Sequence, residues 1–90
     1  QPIRLGYRSP VPTIFASDGI RFVAYPNDHV PARIHGINAD GYVKIELGTH
    51  TTALAVVEVV GMRPKDVKRA VRLAEANWEI LRKGWNEHHG

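Results

Sequence analysis

The chain predicts an α+β fold: an antiparallel sheet of about four to five strands with one long C-terminal amphipathic helix packed on one face. Three observations carry this. Ile20–Tyr25 and Tyr42–Leu47 alternate apolar and polar residues at a period of two. Ser17-Asp18-Gly19 and Asn38-Ala39-Asp40-Gly41 stand between extended runs as turn chemistry. From Pro64 onward, apolar residues recur at three- and four-residue steps.

Gln1–Pro12 holds three of the six prolines. Proline lacks the amide that a sheet ladder needs, so residues 1–12 are expected to form a loosely ordered N-terminal arm ahead of one α+β domain at 13–90. Arg4 and Arg8 make the arm basic.

Thr13–Ala16 is expected as the first strand and Ile20–Tyr25 as the second. Ile20, Phe22 and Ala24 share one face of the second strand, and Arg21, Val23 and Tyr25 the other. Ala32–Ile37 resumes extended structure. In Tyr42–Leu47, Val43, Ile45 and Leu47 point inward, and Tyr42, Lys44 and Glu46 outward. If Ile37 pairs with Tyr42, His35 faces Lys44 and Arg33 faces Glu46 on the polar face. Gly48–Thr52 reads as a loop. Ala53–Val60 is β-branched and almost continuously apolar, which predicts a fifth strand with a central position or two covered faces.

Pro64 suits the first turn of a helix. Val67, Ala70, Val71, Ala74, Trp78, Leu81 and Trp85 form its apolar stripe, and the two tryptophans are expected as core anchors. Lys65, Lys68, Arg69, Arg72, Glu79 and Lys83 lie opposite, with Glu79 and Lys83 in the favourable order for an ion pair. A helix this long spans ~35 Å, so a break near Asn77 or packing of its far end on another chain is expected. Gly84 is expected to weaken that end and let Trp85–Gly90 fray.

Tyr25–His35 is the one place where turn chemistry and titratable chemistry coincide. It packs two prolines, an Asn-Asp pair and two histidines into eleven residues. The binding candidates are Tyr25, Asn27, Asp28, His29, Arg33 and His35. Asp28, His29 and His35 are weak metal-ligand candidates, because neutral imidazole and carboxylate suit divalent ions. Arg33 beside them opposes a cation. The plainer reading is that Asn27 and Asp28 bond turn amides and that His29 is a partly buried hydrogen-bonded residue. His29, His35 and Arg33 are weak catalytic candidates. Ser9 and Ser17 are the only serines, cysteine is absent and no glycine-rich phosphate loop is present. Enzymatic activity is left open, with the residues pointing away from it. No cofactor is implied.

The formal charge of +3 and pI near 9.6 permit a nucleic-acid or acidic-protein partner. Lys65, Lys68, Arg69 and Arg72 could track phosphates, although a soluble helix puts charge on this side in any case. No apolar run approaches the roughly 20 residues that cross a bilayer, and Gln1–Arg8 lacks the apolar core of a signal peptide. A cytoplasmic protein without disulfides is expected.

Val11-Pro12-Thr13-Ile14-Phe15, Asp18-Gly19-Ile20-Arg21-Phe22, Asn27-Asp28-His29-Val30-Pro31 and His35 resemble the small bacterial family catalogued as domain of unknown function 4160. Leu81-Arg82-Lys83-Gly84-Trp85-Asn86-Glu87 is similar to the Trp-containing helix that ends those proteins. The resemblance covers about Pro10 to Glu87. It departs from the family signature at Ala32, where a second proline is usual, and at Arg33, where a histidine is usual. The resemblance implies a regulatory or toxin–antitoxin-like component and brings no catalytic activity with it. The expected function is therefore a non-enzymatic interaction module that binds a partner protein, with the helix end supporting a homodimer. The alternative is a nucleic-acid-binding protein or a His-dependent nuclease.

Overall fold

The computed structural model describes residues 13–25 and 30–89, the side chains of His88 and His89 excepted. The chain runs through β1 (Thr13–Ser17), β2 (Ile20–Val23), β3 (Arg33–Ile37), β4 (Tyr42–Glu46), β5 (Ala55–Val60), α1 (Pro64–Ala76) and α2 (Trp78–His89). The α+β class is as predicted. The strands form a single meander in the order β1-β2-β3-β4-β5, every neighbouring pair antiparallel. The expectations for the N-terminal arm, and for Asn27, Asp28 and His29, lie outside the described residues.

Local chemistry explains the turns. Asp18 and Gly19 both take positive φ, 52° and 79°, between paired Ser17 and Ile20. A two-residue loop of that handedness matches the strand twist, and Asp-Gly tolerates it. At the next hairpin, the Asn38 side-chain oxygen accepts from the amides of Asp40 and Gly41, at 2.9 and 3.1 Å. Gly41 is needed for space: a Cβ there would run into the Val60 carbonyl.

The sheet buries one face under the helices. Ile20, Phe22, Ile34, Val43, Ile45 and Leu47 meet Ala70, Ala74, Leu81 and Trp85 in one core. The alanines let α1 lie close to the sheet. Trp78 packs at the core margin, and its indole N–H donates to the Leu47 carbonyl at 2.7 Å. Both tryptophans therefore anchor the helices, as expected.

The single long helix is corrected to two, with the break at Asn77 where one was expected. At Asn77 both the backbone amide and the side-chain amide donate to the Leu73 carbonyl, at 3.0 and 2.9 Å. An Asn side chain that competes for a helical carbonyl interrupts the regular ladder. The far end does not fray from Trp85 onward, because α2 continues to His89 and Trp85 is buried. Gly84 permits this: a Cβ there would stand 2.6 Å from Ile14 Cγ2, so the missing side chain lets α2 press onto β1. Glu79 and Lys83 are both exposed and form no ion pair.

The position of the fifth strand is also corrected. β5 ends the sheet, and all six of its residues are exposed. In a meander the last strand has a neighbour on one side only, and apolar content cannot change that.

Candidate functional site

The face of the sheet away from the helices carries Arg21, Val23, Arg33, His35, Ile37, Tyr42, Lys44, Glu46 and Glu58, which alternate with the core residues along their strands. Among the described residues no helix covers it, since the core that α1 and α2 close lies on the other side. The expected register holds throughout: Ile37 pairs with Tyr42, His35 with Lys44 and Arg33 with Glu46.

His35 sits at the centre of this face. Tyr25, just beyond β2, meets its ring edge-on at 4.5 Å between centroids, and Tyr42 of β4 lies tilted at 5.2 Å. His35 is only 9% exposed and its cross-strand neighbour Val23 only 1%, so both are more buried than outward-facing strand residues would be. Aromatic neighbours in these edge-on and tilted geometries contribute beyond their buried area. Tyr25 itself remains exposed, at 36%.

Charges of both signs border the aromatic row. Arg33 reaches Glu46 at 3.4 Å, each side chain about one-third exposed. A pair so open to solvent contributes a few tenths of a kcal/mol to about 1 kcal/mol. Tyr42 donates its hydroxyl to Glu58 at 3.2 Å. Its proton is held above the ordinary value of 10.0, first by partial removal from water and then by the Glu58 carboxylate, which opposes a phenolate.

Of the candidates from the sequence, the structure brings together Tyr25, His35 and, at the border, Arg33. Asn27, Asp28 and His29 lie outside the described residues. Among the described residues no group of three or more His, Asp or Glu side chains is placed to hold a metal ion. Along α1, Lys65, Lys68 and Arg72 are exposed, while Arg69 is tied to Asp66 at 3.5 Å. Sequence reasoning had Tyr42 outward but gave it no role, and it missed Glu58. Glu58 is the only charge in an otherwise apolar strand, but its bond to Tyr42 forms only once β4 and β5 pair.

On the helix side, the rings of His50 and Trp78 meet at a tilt, 4.6 Å between centroids, beside an open depression that Thr49 and Glu79 also line. No helix among the described residues is long and apolar enough to cross a membrane. Comparisons with protein-family models, curated proteins and solved structures find no match to this chain.

Proposed function

We propose that this domain is a small interaction module that binds a partner protein through the helix-free face of its sheet. The observation that carries this is the row Tyr25–His35–Tyr42, an aromatic centre spread over three segments of the chain and bordered by Arg33, Lys44, Glu46 and Glu58. Tyrosine supplies large contact area at low entropic cost and is enriched at protein interfaces. The mixed border suits a protein surface better than a phosphate backbone, which calls for cations without neighbouring carboxylates. His35 supports the two tyrosines from beneath, as a packed residue. The resemblance to domain of unknown function 4160 adds support for a bacterial regulatory or toxin–antitoxin-like pair, with this chain as the non-catalytic member.

A pull-down tests the reading, with the wild-type domain and the Tyr25→Ala/Tyr42→Ala variant as baits and the lysate treated with nuclease and washed at high salt. The expected result is one stoichiometric protein on the wild type that is lost on the variant. Nucleic acid that dissociates steeply with salt would instead favour the exposed cations of α1.

A further inference from the structure

The two edges of the sheet are unlike. β1 is sheltered: α2 packs on it through Gly84 and Ile14, Phe15 is partly buried, and its pairing with β2 is bulged between Thr13 and Phe15. β5 has no such shelter among the described residues, and it is the longest strand. Val56, Val57, Val59 and Val60 are 44%, 45%, 45% and 47% exposed. An edge that is long and apolar offers unpaired backbone donors and acceptors to another strand, and chains usually blunt such edges with charge or cover. The one charge on β5, Glu58, is already engaged by Tyr42.

We propose that β5 pairs antiparallel with β5 of a second copy of this chain, joining two five-stranded sheets across a two-fold axis. The occupant must be an extended segment that is apolar on both faces and nearly uncharged. β5 itself meets that description, so two copies complete each other.

The sequence of the strand also restricts the register. A two-fold axis normal to the sheet keeps both helix-bearing faces on one side. Opposed residues must therefore belong to the same face, and the axis must pass through a residue and its own copy. An axis at Glu58 would set two carboxylates opposite each other, which is unfavourable. An axis at Val57 would fall on the bulge, since Lys44 pairs with Glu58 and Ile45 with Val56, leaving Val57 as the extra residue. An axis at Val59 avoids both. Val59 then meets Val59 of the second copy on the helix side, and Glu58 lies opposite a valine, Val60, on the other. This dimer sets two helix-free faces side by side, although it does not depend on what those faces bind.

The natural chain has no cysteine, so a single Val59→Cys substitution gives a clean probe. Directly opposed residues of an antiparallel pair lie within disulfide reach. Mild oxidation of V59C is expected to give a covalent dimer of about twice the 10.1 kDa chain mass, whereas Lys68→Cys on the exposed side of α1 stays monomeric. Light scattering of the wild type should show the mass rising to that of a dimer with concentration. Val59→Lys should hold it at monomer with an unchanged circular dichroism spectrum. A wild type that stays monomeric at every concentration would overturn the proposal, as would V59C cross-linking no faster than K68C. Gain of mass only on adding a different protein would also overturn it, and would assign the edge to a heterologous strand.

Discussion

Gly84 and Ile14 fix the distance between the last helix and the first strand: a Cβ on Gly84 would lie 2.6 Å from Ile14 Cγ2 and 2.8 Å from its Cδ1. This contact closes the core at the end where Trp85 is buried. A residue that weakens the isolated helix thus strengthens the packed one.

Enlarging this position should separate α2 from β1. Gly84→Leu is expected to cost about 1–3 kcal/mol through overpacking, more than the roughly 1 kcal/mol gained from better helix propensity. In a domain of this size each kcal/mol lowers Tm by about 4–8 °C. An unchanged or raised Tm would show that the helix is free to move.

Trp78 ties the start of α2 to the end of β4 through the Leu47 carbonyl. Trp78→Phe keeps an aromatic ring and removes the donor. The expected loss, read as a lower urea midpoint at constant slope, is about 1 kcal/mol from the hydrogen bond, with a further loss from the smaller ring.

Much of this fold was legible in the sequence where side-chain chemistry is local. Asn38 and Gly41 mark their turn, and once Ile37 meets Tyr42 the pairs His35–Lys44 and Arg33–Glu46 follow by counting. The position of β5 was not legible, because valines describe what a strand would bury and not whether a neighbour is there to bury it. Asn77 was readable as a weak point, but its double use of the Leu73 carbonyl depends on three-dimensional geometry. In the candidate site, Tyr25, Arg33 and His35 stood out by residue type. Tyr42 and Glu58 did not, because their bond spans sixteen residues and exists only once β4 and β5 pair.

His35 should behave as a packed residue rather than a catalytic one. His35→Ala removes the ring on which Tyr25 and Tyr42 rest, and is expected to cost about 1–3 kcal/mol. His35→Phe, which keeps an aromatic ring, should recover part of that loss. An alanine variant as stable as the wild type would return His35 to the list of residues free to do chemistry.

Tyr42 is expected to make the fold less stable at alkaline pH. Its folded-state pKa is raised above 10.0, so its contribution is complete below the unfolded value and is lost as pH rises through the folded one. Tyr42→Phe has no proton to lose. Urea midpoints measured from neutral pH into the alkaline range should therefore fall more steeply for the wild type than for the variant. Parallel curves would mean that Glu58 does not oppose ionisation of the phenol.

A partner protein is expected to sit on the helix-free face. Site-specific photo-crosslinking in cells addresses it most directly, with the probe placed at Arg21 on that face or at Lys68 on the exposed side of α1, both exposed positions. A discrete protein adduct is expected from position 21 and none from position 68. Adducts from position 68 alone, or adducts that disappear on nuclease treatment, would contradict it.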